Sequence, residues 1–289
     1  MLIDTEKLNL TQSQLNLIKS GWGSESVDNV EVNKITYLSD GLKVKGYVAY
    51  PVSTNEKFPC IIWCRGGYAN AGALDDFNAQ GILGQLASWG YFVLETQYRG
   101  NDGGEGQDEF GGKDVNDILN LFDVAKEYKN ADTTVWGIEG WSRGGMMTYL
   151  SLTKTDKFQA AIVNAGITNL SCNINESKFM KHLYETAYNK LENESFNEFC
   201  EMRSIINFTD KLPKNTPLLL LHGTADKRVL PHDSIDLAYK LLEKELPFRL
   251  VLFENGDHFL KPHKKEADEL RKNWFAKYLK SKKKGADNG

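Results

Sequence analysis

The stretch that decides the fold is VWGIEGWSRGG, residues 135–145. Its first part, Val135–Gly140, is predicted to be a strand. Its second part fits the pattern G-x-S-x-G and leads into Arg143–Leu152, which the pattern predicts to be a helix. A serine at a sharp turn from strand to helix has a strained backbone and holds its hydroxyl above the sheet. Ser142 is therefore the candidate nucleophile.

The same turn has a simpler interpretation, in which Ser142 only caps the following helix. Two features favour catalysis. Gly140 and Gly144, two residues before and two after the serine, leave space where a Cβ atom would collide. The start of the helix also carries a partial positive charge, which stabilises a developing oxyanion.

Strands and helices alternate on both sides of this stretch. Further strand-like runs are Pro59–Cys64, Tyr91–Glu95, Ala160–Ala165, Leu218–Leu221 and Phe248–Phe253. Helical patterns are Phe77–Trp89, Asp114–Tyr128, the stripe Ile235, Ala238, Leu241 and Leu242, and the stripe Ala267, Leu270, Trp274 and Tyr278. This alternation predicts an α/β fold with a mostly parallel central sheet and helices on both faces. Such sheets bind ligands beyond the carboxyl ends of their strands.

The N-terminal part of the chain departs from this alternation. Residues 1–30 are predicted to form a helical extension with a break at Gly21-Trp22-Gly23. Two strand-like runs follow, Val32–Ser39 and Leu42–Pro51, and Asp40-Gly41 between them is a strong signal for an antiparallel hairpin. We expect the main domain to cover residues 31–280.

A second departure is the segment 171–213, which is polar and rich in Asn, Glu and aromatic residues. It is longer than an ordinary connection, so we predict a helical cap inserted over the strand ends. Its aromatic side chains either line an apolar pocket or form the core of the cap itself: Phe179, Tyr184, Tyr188, Phe196 and Phe199. The tail, residues 281–289, is predicted to be disordered.

Composition excludes several classes of function. The chain has 35 basic and 39 acidic residues and a net charge of −4, which disfavours nucleic acid as a partner. We expect no membrane partner, because the N-terminus lacks a signal peptide and no run approaches the roughly 18 apolar residues of a membrane span. The four cysteines fit neither a zinc site nor a disulfide framework. We therefore expect a cytoplasmic protein without metal or cofactor, and a homo-oligomer stays open.

A nucleophilic serine needs a neighbouring base, and the base needs an acid that orients it. In this kind of fold the chain order is serine, acid, histidine. Asp226 follows the strand Leu218–Leu221, and His258 follows the strand Phe248–Phe253. Both residues should therefore lie beyond strand ends, on the Ser142 side of the sheet.

Other residues compete for these two roles. Asp257 could orient His258 instead of Asp226, although side chains adjacent in sequence point in different directions. The remaining histidines fit local packing, capping or the cap segment better than the role of base: His222, His232, His263 and His182.

Taken together, the motifs resemble the catalytic α/β-hydrolase domain of the prolyl oligopeptidase family of serine peptidases. Four segments carry the resemblance: Gln97–Gly100 with Gly103, Gly104 and Gly106; Gly140–Gly145; Arg203-Ser204 with His222–Val229; and Gly256–His258. The resemblance spans residues 30 to 280. It implies Ser142 as nucleophile, Asp226 as orienting acid, His258 as general base, and a small peptide as substrate.

The chain departs from the family pattern in two places. Family members usually carry a β-propeller before the hydrolase domain, and the 30 residues that precede it here lead us to expect no propeller and no implied dipeptidase specificity. The family also has Tyr or His before the glycines of the loop after the first parallel strand, whereas Arg65 precedes Gly66 here. One oxyanion donor is expected at the Arg143 backbone N–H, and the other at the Gly66 N–H or the Tyr68 hydroxyl.

The sequence leaves several functional alternatives open. Arg65 and Arg143 either favour a substrate with an anionic group near the scissile carbonyl or pair with local acidic residues. Peptidases and carboxylesterases use the same groups, so an esterase acting on small acyl esters is the second candidate. A non-catalytic binding protein with this fold is the third, and the intact Ser, Asp and His disfavour it.

Overall fold

The computed structural model describes residues 1–52, 55–191 and 195–280 of the 289-residue chain. The chain forms two compact units. The first contains Met1–Asp108 and Lys113–Gly137, and the second contains Glu109–Gly112 and the chain from Ile138 onward. The limits predicted for the main domain, residues 31–280, stay a prediction. The tail predicted to be disordered, residues 281–289, lies outside the described residues.

The first unit is built on strands β1 to β5, which are Leu2–Lys7, Val30–Ser39, Leu42–Pro51, Phe58–Cys64 and Phe92–Thr96. Their hydrogen-bonded order is β1-β2-β3-β5-β4. β4 and β5 are parallel, whereas the β1–β2, β2–β3 and β3–β5 pairs are antiparallel. The predicted hairpin is confirmed: Ser39 pairs with Leu42, and Asp40 and Gly41 between them have φ values of 52° and 82°.

The prediction for residues 1–30 was incomplete, because Leu2–Lys7 forms a strand that pairs with β2. This strand lies at the edge of the sheet and is almost wholly exposed, so its sequence lacks the apolar alternation of a buried strand. The predicted helix is present as α1, Gln12–Trp22, with a capping box at Thr11. It ends at Trp22 and is capped by Gly23, whose φ of 94° accounts for the predicted break.

The other helices of the first unit are α2 to α5, which are Glu25–Asp28, Asp76–Ser88, Val115–Leu119 and Leu121–Ala125. The single helix predicted over residues 114–128 is therefore wrong. The helix is interrupted at Asn120, whose side chain donates a hydrogen bond to the Ser39 hydroxyl over 2.8 Å. A periodic apolar stripe alone does not show where such an interruption falls.

Strand β6, Ala131–Trp141, begins in the first unit and ends in the second. The strand order β1-β2-β3-β5-β4-β6 continues as β6-β7-β8-β9, where β7 to β9 are Phe158–Asn164, Leu218–Gly223 and Phe248–Phe253. The β7–β8 and β8–β9 pairs are parallel. The strands predicted in this part of the chain are confirmed with small differences at their ends.

The second unit contains helices α6 to α11, which are Arg143–Leu152, Leu170–Glu176, Lys178–Tyr188, Phe196–Arg203, His232–Glu243 and Lys264–Phe275. The stripe predicted on α10 is only partly buried. Ala238 and Leu241 are buried, but Ile235 and Leu242 are 40% and 64% exposed. The inward face of α10 is instead completed by Leu237, which is fully buried.

The helical content predicted for the cap is confirmed by α7, α8 and α9. Its aromatic residues mainly pack against each other. Tyr188 lies 5.2 Å from Phe196 and 5.9 Å from Phe199 between ring centroids, and Tyr184 and Phe199 are buried. Phe179 is the exception, with 55% of its surface exposed. The interpretation of these residues as the core of the cap therefore accounts for most of them.

Candidate active site

Ser142 occupies a strained turn between β6 and α6. Its φ of 58° and ψ of −122° lie outside the regions that L-amino acids usually adopt. The Ser142 N–H donates to the Asn164 carbonyl at the end of β7 over 2.9 Å, and the Ser142 carbonyl accepts from the Gly145 N–H over 2.9 Å. The strained residue is therefore fixed by backbone hydrogen bonds on both sides.

Two glycines make this turn sterically feasible. A Cβ atom on Gly140 would lie 2.0 Å from the Gly144 carbonyl oxygen, so the sequence-based expectation for Gly140 agrees with the geometry. A Cβ atom on Gly145 would lie 2.6 Å from the Cα atom of Gly166. Only glycine allows the backbone segments to approach this closely.

Arg143 follows the serine and is the first residue of α6. The N-terminal end of a helix carries a partial positive charge and directs its first N–H groups outward, which is the arrangement an oxyanion needs. The Arg143 side chain is fully buried, and its guanidinium lies 4.6 Å from the centroid of the Phe110 ring.

His258 and Asp226 are in direct contact. The His258 Nδ1 atom lies 2.7 Å from the Asp226 Oδ2 atom, and both residues are buried. Asp257, the alternative acid, instead accepts from the N–H groups of Phe259 and Lys261, over 3.2 and 2.9 Å. Asp226 is thus the carboxylate bonded to this imidazole.

The electrostatics of Asp226 determine which atom of His258 carries a proton. Burial raises the pKa of Asp226, but hydrogen bonds from His222, from His258 and from the Arg228 N–H outweigh it and hold the pKa well below its usual value. The carboxylate is therefore ionised at neutral pH and can only accept hydrogen bonds. The His258 Nδ1 must donate, which leaves Nε2 of the neutral ring able to accept a proton.

The loops that carry Asp226 and His258 are bound to each other. A Cβ atom on Gly223 would lie 2.2 Å from the Gly256 carbonyl oxygen, and the Ala225 N–H donates to that same oxygen over 2.9 Å. The Trp141 indole N–H donates to the His258 carbonyl over 2.9 Å. Because Trp141 precedes Ser142, this bond joins the histidine loop to the serine turn.

His222 is closer to this pair than its sequence indicated. Its Nε2 atom lies 3.4 Å from Asp226 Oδ2 and 2.9 Å from the Val229 carbonyl, and its Nδ1 lies 2.7 Å from the Ser234 hydroxyl. Local hydrogen bonding was expected, but the contact with Asp226 was missed. The spacing of four residues between His222 and Asp226, at the turn that follows β8, is the sequence feature that indicates this contact.

The other histidines lie elsewhere. His263 Nε2 bonds to the Glu254 carbonyl over 2.8 Å, His232 begins α10, and His182 is exposed on α8.

Three of the predicted site residues, Arg65, Gly66 and Tyr68, belong to the first unit and follow β4. Arg65 is fully buried and Tyr68 is nearly so. The guanidinium of Arg65 donates to the backbone carbonyl groups of Gly66, Ala69 and Gln97. The role of these residues in an oxyanion site stays a prediction.

Within residues 1–52, 55–191 and 195–280, no three His, Cys, Asp or Glu side chains are grouped as a metal ion requires. The four cysteines, all within the described residues, are thiols and not disulfide partners. None of the helices in the described part of the chain is long and apolar enough to cross a membrane.

Solved structures identify the class to which this fold belongs. The chain superposes on an acylaminoacyl peptidase in complex with Z-Gly-Gly-Phe-chloromethyl ketone with a TM-score of 0.72 and 25% identity, covering 87% of this chain and 42% of that one. An acylaminoacyl peptidase from Pyrococcus horikoshii gives a TM-score of 0.73 at 24% identity, covering 91% of this chain and 43% of that one. The fold is that of an α/β-hydrolase, and the expected fold class is confirmed.

Sequence comparison identifies the family. A model of the prolyl oligopeptidase family matches residues 79–282, and the chain belongs to that family. The uncharacterized peptidase YtmA of Bacillus subtilis is 28% identical, over 81% of this chain and 88% of that protein. The acylamino-acid-releasing enzyme of Arabidopsis thaliana is 29% identical, over 68% of this chain but only 28% of its own length. The dipeptidyl-peptidase 5 of Porphyromonas gingivalis is 25% identical, over 77% of this chain and 34% of its own length.

Proposed function

We propose that this protein is a serine peptidase that cleaves short peptides through an acyl-enzyme intermediate. Ser142 is the nucleophile, His258 the general base and Asp226 the acid that orients it. The observation that carries the proposal is the 2.7 Å hydrogen bond between Asp226 and His258, which leaves Nε2 of His258 able to accept a proton.

The reaction follows from these protonation states. His258 Nε2 takes the proton of the Ser142 hydroxyl while the serine oxygen attacks the peptide carbonyl and forms a tetrahedral intermediate. His258 then gives that proton to the leaving amine, and the C–N bond breaks. A water molecule attacks the acyl-enzyme in the same way and releases the carboxylic acid. Asp226 stays ionised throughout and stabilises the imidazolium.

The negative charge that develops on the carbonyl oxygen requires hydrogen-bond donors. We assign one of them to the Arg143 backbone N–H, at the positive end of α6. For the second donor, the sequence alone predicts the Gly66 N–H or the Tyr68 hydroxyl. Loss of one such donor lowers kcat by about 10²–10³.

Family membership supports a peptide as substrate. The acylaminoacyl peptidase structure at 25% identity contains a peptide chloromethyl ketone, Z-Gly-Gly-Phe, and we propose that the present protein also acts on short peptides. The chain spans most of YtmA but about a third of the Arabidopsis and Porphyromonas relatives, so their individual specificities do not transfer.

The proposal is tested by covalent labelling with a fluorophosphonate probe. We expect the wild-type protein to be labelled and Ser142→Ala to remain unlabelled, with both proteins folded by circular dichroism. Equal labelling of the two proteins would exclude Ser142 as the nucleophile. A wild-type protein that is neither labelled nor active would instead fit the non-catalytic binding protein.

A carboxylesterase uses the same catalytic groups as a peptidase. The two differ in the leaving group, which is an alcohol in an ester and an amine in a peptide. Parallel assays with p-nitrophenyl esters and aminoacyl p-nitroanilides distinguish them. We expect turnover of both, with Ser142→Ala inactive on both. Turnover of the esters alone would contradict the peptidase proposal and indicate an esterase that acts on small acyl substrates.

A further inference from the structure

We propose that His222 is a positioning residue of the reaction and acts through Asp226. Its buried imidazole directs an N–H group at the carboxylate oxygen that also binds His258, and it holds the turn that carries Asp226. The inference rests on the proposed function and adds a second histidine to the site, one that exchanges no proton with the substrate.

The hydrogen bonds of His222 determine which of its nitrogen atoms carries the proton. Nε2 lies 2.9 Å from the Val229 carbonyl, which can only accept, so Nε2 is protonated. Nδ1 lies 2.7 Å from the Ser234 hydroxyl, and in the neutral ring Nδ1 accepts the proton of that hydroxyl. The ring is fully buried and both nitrogen atoms are occupied by the protein itself. His222 therefore cannot serve as the base that activates Ser142.

The same N–H group of His222 also faces Asp226. Asp226 Oδ2 lies 3.4 Å from His222 Nε2 and 2.7 Å from His258 Nδ1. The longer distance makes the contact of His222 the weaker of the two, and the Val229 carbonyl is the main acceptor of its proton. Burial raises the pKa of Asp226, whereas the N–H of His222 is among the donors that hold it well below its usual value. His222 thus helps to keep the carboxylate ionised.

Val229 connects His222 to Asp226 a second time. Its carbonyl accepts from His222, and its N–H donates to Asp226 Oδ1 over 3.2 Å. The Arg228 N–H donates to the same oxygen over 2.8 Å. An ionised carboxylate has about four acceptor sites, and here two N–H groups face one oxygen and two imidazoles face the other. The orientation of the carboxylate therefore depends on His222 both directly and through the backbone of the turn.

The position of His222 is fixed by a strand and a helix. Its backbone lies near the end of β8 and pairs with Leu252 of β9. Its ring is bound to Ser234, which lies in the first turn of α10. A side chain that is held by its own hydrogen bonds in this way can orient a neighbouring catalytic group.

Removal of the Nε2–H of His222 should have two consequences that differ from a general loss of stability. The carboxylate of Asp226 gains freedom to move, and a shift of about 1 Å at a catalytic group lowers kcat about 10²-fold. The carboxylate also loses a donor, so it attracts the positive charge of an imidazolium more strongly. The acid limb of kcat/KM reports protonation of the base in the free enzyme, and it should move to higher pH.

The test compares His222→Asn with His222→Gln. The Asn amide takes the place of the Nδ1 side of the ring and can still bond to Ser234, but it has no group at the Nε2 position. The Gln amide reaches the Nε2 position and can donate to the Val229 carbonyl. For His222→Asn we expect kcat to fall about 10²-fold, KM to stay within about threefold of wild type and the acid limb to rise by about 0.5 pH unit. His222→Gln should regain roughly tenfold in kcat, with its acid limb close to that of wild type.

Ser234→Ala is the matched control. It removes a buried hydrogen bond from the same ring but leaves the Nε2–H of His222 on the Val229 carbonyl. It should lower the melting temperature, keep kcat within about threefold and leave the acid limb in place. If folded His222→Asn keeps both its kcat and its acid limb, the inference is wrong. A loss of kcat that is equal in His222→Asn and His222→Gln and leaves the acid limb unmoved gives His222 a purely structural role and also overturns it.

The tautomer of His222 can be measured without any variant. Nitrogen NMR of the wild-type protein with isotope-labelled histidine should show a proton on Nε2 of His222 and none on its Nδ1. A proton on Nδ1 alone would direct the wrong atom at Asp226 and would overturn the inference even if neither variant folds.

Ser142→Ala separates this inference from the proposed function. If Ser142→Ala hydrolyses the substrate as fast as wild type, the proposed function itself fails. If Ser142→Ala is inactive while His222→Asn keeps its kcat and its acid limb, only the role of His222 is lost.

Discussion

His258 and Asp226 share a buried hydrogen bond of 2.7 Å, although they lie in loops that follow different strands. Asp226 is held from its other oxygen by the N–H groups of Arg228 and Val229, over 2.8 and 3.2 Å. The carboxylate therefore has a fixed position before it contacts the imidazole, and it fixes the tautomer of that imidazole in turn.

Asp226→Asn tests this relationship. An amide in place of the carboxylate can donate to Nδ1 and stabilise the wrong tautomer, so we expect kcat to fall by about 10⁴ with the fold intact. The measurement is kcat and KM on a p-nitroanilide substrate. Asp257→Asn is the matched control, since Asp257 is adjacent to His258 but bonds to Phe259 and Lys261. Equal losses in the two variants would contradict the assignment of Asp226.

Gly140→Ala tests the steric basis of the serine turn. Its Cβ atom would lie 2.0 Å from the Gly144 carbonyl oxygen, so the turn must shift, and a shift of about 1 Å at a catalytic group lowers kcat about 10²-fold. The control is Gly21→Ala in α1, where a Cβ atom meets nothing within 4 Å. It should stabilise the protein by roughly 0.5–1 kcal/mol without changing kcat. Normal activity in Gly140→Ala would show that the turn tolerates displacement.

The features predicted correctly from sequence have local causes. The hairpin follows from Asp40-Gly41, which suits a turn with positive φ at both residues, and the strand and helix around Ser142 follow from one continuous motif. The errors have distant causes. β1 is paired with β2, and Asn120, at the interruption between α4 and α5, donates to the hydroxyl of Ser39 on a distant strand.

The same distinction between local and distant causes applies to the candidate site. Motif order was sufficient to propose that Asp226 and His258 act together, because each follows a strand of one parallel sheet. The contact of His222 with Asp226 and the three carbonyl partners of Arg65 depend on how loops fold back, and no periodic pattern encodes that.

A buried ion pair supports β6 just before the serine turn. Arg271 Nε lies 2.6 Å from Glu139 Oε1, and Asn164 donates to the same oxygen over 3.2 Å. Arg271→Met leaves the carboxylate of Glu139 buried without its cation, so we expect a loss of about 3–5 kcal/mol in the free energy of unfolding. The double variant Glu139→Gln, Arg271→Met should recover most of this loss. Urea unfolding measures both, and equal instability of the single and double variants would refute a charge-based cause.

Glu95 in β5 predicts a pH-dependent stability. Its side chain is fully buried, and within the described residues neither carboxylate oxygen has a hydrogen-bond partner. Burial raises its pKa to about 8, and the nearby cations Arg65 and Lys34 offset this only in part.

An unfolded glutamate has a pKa of about 4.3, so between about pH 4 and pH 8 the folded protein retains a proton that the unfolded chain releases. Stability should therefore fall as pH rises through this range. Glu95→Gln removes the titrating group, and its melting temperature should exceed that of wild type by a margin that grows from pH 4.5 to pH 8. A margin that stays constant with pH would mean that Glu95 does not titrate in this window.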